Sequence, residues 1–155
     1  GVDSVIFTAG SGGSTGADKT LLVDLLGAKK AVDFALNHNV KKFVQLSATD
    51  SIEPEKESDV MRPYAVAKHF SDLYIENSGL NYTIVHPGPL QDDEGTGKIE
   101  AELKINGDPN SYTIPREDVA TVLKEVVTSD GFNNQEFQIL SGNHGVKDAL
   151  KNYES

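Results

Sequence analysis

One stretch limits the fold more than any other in this chain of 155 residues. Arg62-Pro63-Tyr64-Ala65-Val66-Ala67-Lys68 opens a helical pattern that runs to about Asn77, with Gly79 as its stop signal. Asn81-Tyr82-Thr83-Ile84-Val85-His86 follows as an apolar strand and ends in Pro87-Gly88-Pro89, where the backbone can turn sharply and approach a ligand. A helix that gives way so quickly to an apolar strand is the repeating unit of an α/β sheet. Tyr64 and Lys68 stand four apart, so on a helix their side chains lie over one another. An ammonium held near a phenol favours the phenolate, and a phenol tuned that way can take or give a proton at a carbonyl or alcohol. Taken alone, Tyr-x-x-x-Lys is also what an ordinary helix surface contains.

The rest of the chain repeats the alternation. Ser4-Val5-Ile6-Phe7-Thr8 is β-rich and leads into Ala9-Gly10-Ser11-Gly12-Gly13-Ser14-Thr15-Gly16. Strand, glycine-rich loop and helix is the order of a phosphate-binding turn, but the spacing fails. Gly-x-Gly-x-x-Gly from Gly10 needs glycine where Thr15 stands, and Gly-x-x-x-Gly-x-Gly meets Ser14. The loop is therefore read as a flexible β-to-α connection rather than a phosphate cradle. A helix is expected from about Asp18 to Asn37, with Leu21, Leu25, Ala28, Val32 and Ala35 as its buried stripe and Asn39 as a left-handed cap. Asp24 reads as an exposed helix carboxylate.

Val40 to Thr49 forms the next strand and ends in hydroxyls. Ser47 or Thr49 could hydrogen-bond a substrate oxygen or cap loop amides. Residues 50–61 are an acidic, solvated loop. In the Tyr64 helix, Val66, Phe70, Leu73 and Tyr74 form the expected core stripe, leaving Tyr64 and Lys68 at a rim. His86 reads as a satisfied strand-end histidine, with the capacity to titrate near neutrality. Gln91 to Gly97 is expected to be a mobile polar loop. Lys98 to Ile105 alternates apolar and polar residues and is paired, around a turn at Asn106-Gly107-Asp108, with Ser111 to Ile114 as a hairpin. Pro115-Arg116 opens a third helix buried through Val119, Val122, Leu123 and Val126. A strand at Asn134 to Leu140 and a short helix marked by Val146, Ala149, Leu150 and Tyr153 complete the pattern. The expectation is an α/β, Rossmann-like, three-layer domain over residues 1–155 with a mostly parallel sheet.

Charge excludes some functions. The net charge is −10, which repels a nucleic-acid backbone but leaves room for one dinucleotide held by backbone amides. His38, His69, His86 and His144 lack ligand spacing, so no metal is expected. Cysteine is absent, and no apolar run approaches the ~20 residues of a membrane span, so a cytoplasmic protein with no membrane partner is expected.

Tyr64-x-x-x-Lys68, the strand ending in Pro87-Gly88 and the Val40-Lys41-Lys42-Phe43-Val44 strand leading to Ser47 together resemble the short-chain dehydrogenase/reductase superfamily. The likeness is to its atypical, NAD-dependent epimerase/dehydratase-like or NmrA-like branch, and it covers nearly the whole chain. The resemblance implies NAD or NADP as cofactor, with Tyr64 as acid/base and Lys68 lowering its pKa and binding the nicotinamide ribose. Ser47 or Thr49 would polarise the substrate oxygen. The strand ending in Ala9-Gly10 would pass the adenosine side, and Pro87, Gly88, Pro89 and Leu90 would flank the nicotinamide. Asp24 stands where many members carry an Asn that anchors a water chain to the lysine. The chain looks like the family's later part, truncated at its N-terminal βαβαβ portion with the glycine motif. The implied activity is an oxidoreductase or epimerase/dehydratase acting on a small carbonyl or hydroxyl substrate. The alternatives are a non-catalytic NAD(P)-binding sensor or an inactive fragment. A homo-oligomer is a further expectation, because a sheet missing its first strands exposes a central edge.

Overall fold

The computed structural model describes residues 1–105 and 112–154. Its strands are β1 (Ser4–Phe7), β2 (Lys42–Leu46), β3 (Tyr82–Pro87), β4 (Leu90–Gln91), β5 (Lys98–Glu102), β6 (Ile114–Pro115), β7 (Gln135–Ser141) and β8 (His144–Gly145). Its helices are α1 (Ala17–Thr20), α2 (Leu26–Asn37), α3 (Arg62–Glu76), α4 (Arg116–Thr128) and α5 (Val146–Leu150). The main sheet has the order β1-β2-β3-β7-β5-β8. β1, β2, β3 and β7 run parallel, with Val5 beside Phe43, Val44 beside Thr83 and Val85 beside Phe137. β5 turns antiparallel against β7. The fold is the α/β, Rossmann-like, mostly parallel sheet that the alternation predicts.

Each face of the sheet has its own core. Val32, Ala35, Phe43, Ile75, Leu80 and Ile84 pack α2 and α3 onto one face. Val44, Val85, Val119, Val122, Val126, Phe137 and Ile139 pack α4 onto the other. Near-continuous apolar strands are what a sheet covered on both faces requires. Asn39 adopts φ 55° and closes α2 as expected, and Gly79, with φ 82°, stops the chain after α3.

Four expectations fail for local reasons. The helix after β1 is interrupted by a π-helical turn at Leu21–Leu25. This wider turn rotates the register, so Leu21 is 52% exposed and Asp24 turns inward. On α3 three of the four residues of the expected stripe, Phe70, Leu73 and Tyr74, are exposed, whereas Ala65, Ala67, Lys68, Ser71, Asp72 and Ile75 are buried. Small and polar residues let the helix sit close to a polar site, which overrides the hydrophobic period. The expected hairpin does not form between its two arms: β5 pairs with β7 and β8, and β6 pairs parallel with β4. Its proposed turn lies outside the described residues. Finally, the Gln91–Gly97 loop is pinned. Asp118, buried at the start of α4, accepts hydrogen bonds from Thr96 N (3.0 Å), Thr96 Oγ1 (3.2 Å) and Gly97 N (2.8 Å). Glu117 accepts from Gly95 N.

Candidate active site

The carboxyl ends of β1, β2 and β3 meet the first turns of α3, and two adjoining cavities open there. The larger, about 620 Å³, is lined by the Thr8–Gly13 turn, Asp24, Leu46, Ser47, Tyr64, Lys68, Leu90 and Arg116, among others. The smaller, about 340 Å³, is lined by Ser47, Ala48, Thr49, Asp50, Met61, Tyr64 and the Pro87–Leu90 turn. The expected site residues therefore come together: Ala9, Gly10 and Lys68 at the first cavity, Thr49, Pro87, Gly88 and Pro89 at the second, and Ser47, Tyr64 and Leu90 at both. Ligands in open α/β folds bind outside the carboxyl ends of the strands.

The electrostatics of the pair on α3 differ from the expectation that Lys68 lowers the Tyr64 pKa. Burial raises the Tyr64 phenol, and the charges of Asp24, Asp50 and Asp72 add to the rise. Burial lowers the Lys68 ammonium, opposed by Asp72 and Asp24. Lys68 Nζ donates to the Leu46 carbonyl at 2.7 Å, so β2 holds the amine at the sheet end. Burial also raises the Asp50 carboxyl.

Behind Ser47 lies a buried polar cluster. Ser47 Oγ donates to Asp72 Oδ2 at 2.5 Å, as does Ser51 Oγ at 3.0 Å. Gln45 Nε2 donates to Ser71 Oγ at 3.0 Å. Ser51 Oγ lies 3.2 Å from His86 Nδ1, and His86 Nε2 lies 3.2 Å from Glu136 Oε2. Burial would lower the His86 pKa, but the Glu136 bond, the Asp72 and Glu136 charges and the Ala48 carbonyl outweigh it and raise it. His86 is thus satisfied at the strand end, as expected, and also charged more readily.

Sequence reasoning missed Asp72, Ser51 and the inward turn of Asp24. Asp24 is 1% exposed, not a surface carboxylate, and accepts a hydrogen bond from Ser11 N at 3.0 Å. It thereby ties the glycine-rich turn to the π-helical segment, a local irregularity that often marks functional sites. A signal for Asp72 was present: it continues the four-residue spacing of Tyr64 and Lys68 down the same face. Among the described residues, no group of His, Cys, Asp and Glu could hold a metal ion. No helix among them is long and apolar enough to cross a membrane.

This fold and cavity define a dinucleotide-binding protein of the short-chain dehydrogenase kind, and comparison with known proteins agrees. The NAD(P)H-binding family model matches residues 1–130, and the chain belongs to that family, whose cofactor is NAD or NADP. It is 42% identical over 151 residues to YhfK of Bacillus subtilis, an uncharacterized sugar epimerase, covering 97% of this chain and 69% of that protein. It is 36% identical over 131 residues to the yeast protein YMR090W of Saccharomyces cerevisiae, covering 79% of this chain but 55% of that one. A solved structure of a candidate NAD-dependent epimerase/dehydratase from Bacillus halodurans superposes with a TM-score of 0.93 at 37% identity, covering 97% of this chain and 69% of the other.

Proposed function

We propose that the protein catalyses NAD(P)H-dependent hydride transfer to a small carbonyl substrate, with Tyr64 as the proton donor. The observation that carries this reading is the convergence of Tyr64, Lys68 and Ser47 on connected cavities at the carboxyl ends of β1, β2 and β3. The reduced dinucleotide, when bound, supplies the hydride. Lys68 has three N–H donors and gives one to Leu46 O; in the cavity it lines, the others can meet the vicinal hydroxyls of a ribose. The turn Pro87-Gly88-Pro89 and Leu90 bound the nicotinamide end, and Ala9 and Gly10 the adenosine side. Arg116, at the rim, places a positive charge where the diphosphate can reach it. That donor set fits the dinucleotide.

A phenol held in its neutral form is suited to giving a proton to the oxygen of a carbonyl that is receiving a hydride. Ser47, whose hydroxyl donates to Asp72 in the unliganded protein, and Thr49 both line the cavity that would hold that oxygen. The names of two relatives, a sugar epimerase and an NAD-dependent epimerase/dehydratase, support a dinucleotide-dependent activity. The test is nucleotide fluorescence titration with NADPH and NADH, followed by turnover on a panel of aldehydes, ketones and keto sugars with the wild type and Tyr64→Phe. Saturable binding, with turnover reduced at least 10²-fold in Tyr64→Phe, is expected. Equal turnover in both proteins would remove Tyr64 from the chemistry.

A further inference from the structure

On the flank of α3 turned away from α2 there is another cavity, of about 380 Å³, lined by Ser51, His69, Asp72, Glu76, His86 and Glu136, among others. Asp72 belongs to its wall and also binds the Ser47 hydroxyl, which lines both active-site cavities. A single buried carboxylate thus separates two solvent-accessible spaces. We propose that the Ser47–Asp72 pair is a proton path between the active-site cavity and this second cavity, and that His86, held by Glu136, sets the path's proton affinity. The proposal rests on the hydride-transfer reading above, and it assigns Asp72 and His86 as positioning residues that act through Ser47.

The geometry allows two states. With Asp72 ionised, Ser47 spends its one proton on Asp72 Oδ2, as seen here, and offers the active-site cavity only lone pairs. With Asp72 protonated, the carboxylic acid donates to Ser47 Oγ, and the Ser47 proton is free to point into the cavity. In the reductive direction the carbonyl carbon gains the hydride and its oxygen takes the Tyr64 proton. Starting from the state with Asp72 protonated, the phenolate recovers a proton from Ser47, Ser47 from the Asp72 carboxylic acid, and Asp72 from water in the second cavity, whose hydroxide leaves to bulk solvent. One solvent proton is consumed for each hydride transferred, and every residue ends as it began.

The groups that set Asp72 come from every side of it. Ser47 and Ser51 donate to it, Lys68 lies one turn before it on α3, and His86 reaches it through Ser51. His86 is itself faced by Glu136 from β7, by Asp72, Glu76 and His69 from α3, and by the Ala48 carbonyl. The charge state of His86 therefore acts on the Ser47–Asp72 pair through the Ser51 hydroxyl.

The native chain contains no cysteine, so Ser47→Cys gives a single thiol at the path's inner end. Its conversion to the mixed methyl disulfide by methyl methanethiosulfonate, with methanesulfinate leaving, reports the path without dinucleotide or substrate. The rate is expected to rise with pH and to break at the His86 midpoint, measured independently by 15N-histidine NMR. Asp72→Asn in the Ser47→Cys background should remove the break and raise the rate at pH 8 about tenfold, because the thiolate no longer faces a carboxylate. Glu136→Gln, at a half-exposed position, should move both the break and the His86 midpoint to lower pH. An unlabelled thiol, or a rate indifferent to Asp72→Asn, overturns the proposal. If the thiol variants do not fold, NMR of the wild type and Ser47→Ala decides it: an unchanged His86 midpoint in Ser47→Ala overturns the coupling, and a shifted one supports it. Labelling as expected in a protein that never turns over a carbonyl would sink the hydride-transfer reading alone.

Discussion

Tyr64 and Lys68 lie one turn apart on α3, and burial moves their pKa values in opposite directions, each toward its neutral form. Desolvation works against the phenolate and the ammonium alike, so the Coulomb attraction between them does not set the resting state of the pair. The pair is therefore preorganised as a hydrogen-bonding surface, with Lys68 tethered to Leu46 O. Burial, with the charges of Asp24, Asp50 and Asp72 adding to it, holds the phenol protonated well past neutrality. In the unliganded protein, an ultraviolet titration should show no Tyr64 ionisation below the ordinary tyrosine midpoint near 10. The difference between wild type and Tyr64→Phe isolates that residue, and a Tyr64 step between pH 7 and 9 would contradict the electrostatics described here.

Lys68 can be tested without turnover. Replacing it by Met removes the cost of a buried amine and also one hydrogen bond to Leu46 O, each on the order of 1 kcal/mol. These oppose each other, so Lys68→Met should unfold in urea within about 1 kcal/mol of the wild type. Dinucleotide affinity should fall by at least tenfold, since ribose contacts are lost. A protein that loses stability heavily while binding normally would make Lys68 a structural residue.

The His86–Glu136 contact makes stability depend on pH in a defined window. The His86 pKa is raised in the folded protein, so its contribution is complete below the unfolded value near 6.5 and is lost as pH rises through the folded value. The Glu136 pKa is lowered by the same bond, so its contribution is present above about 4.5 and is lost as pH falls through its folded value. Both are in place between about pH 4.5 and 6.5. Glu136 is 56% exposed, which limits the effect to about 0.5–1 kcal/mol. Urea midpoints of wild type and Glu136→Gln should differ most at pH 5–6.5 and converge by pH 9. A constant difference across the range would mean that the ion pair is not the cause.

How much of this was legible in the sequence varied with the physics. The parallel strands and α4 were, because Val44, Val85, Val119 and Val126 follow periods that burial enforces. The convergence of Ser47, Tyr64 and Lys68 was legible too, since strand ends and helix starts of an α/β sheet meet on one side. The polarity of α3 was not. Its buried face is set by Lys68, Ser71 and Asp72, which any hydrophobicity pattern assigns to solvent, and so Phe70 and Leu73 were placed inside. Asp24 was misplaced for another reason: a π-helical turn has no sequence signature in the 3.6-residue period. The β4–β6 pairing joins two-residue strands 24 positions apart in register, which local sequence cannot specify.

Asp118 is the next point of attack. Its carboxylate is 1% exposed and satisfies two backbone N–H groups and one hydroxyl of the loop that follows β4. Asp118→Ala leaves those donors without a partner, at about 1–3 kcal/mol for each that stays buried, and frees the loop beside the candidate site. Urea unfolding should show a loss of about 2–4 kcal/mol, with new proteolytic cleavage between Asp92 and Lys98. Asp118→Asn, which keeps an acceptor oxygen, should recover part of the stability. If Asp118→Ala unfolds like the wild type, the loop is held by the Gly95–Glu117 and Arg116–Asp92 contacts instead.

Gly142 tests how tightly β7 and β5 close. A Cβ built there would lie 2.5 Å from Glu100 N and from the Ile99 carbonyl carbon, both backbone atoms, so no side-chain rotation can relieve it. The strands must separate near the Ile99–Ser141 pair, and Ile99 is fully buried in the core beneath. Gly142→Ala should therefore cost about 1–3 kcal/mol, as overpacking does, although alanine favours the folded state through a stiffer unfolded chain by about 0.4–1 kcal/mol. Gly12, whose Cβ would meet nothing but whose φ is 82°, provides the contrast. Gly12→Ala carries only the local left-handed penalty, about 1–2 kcal/mol, and leaves amide exchange in β5 and β7 unchanged. Gly142→Ala should speed exchange at Glu100 and Ser141. Equal exchange in the two variants would show that the β5–β7 seam tolerates the added methyl.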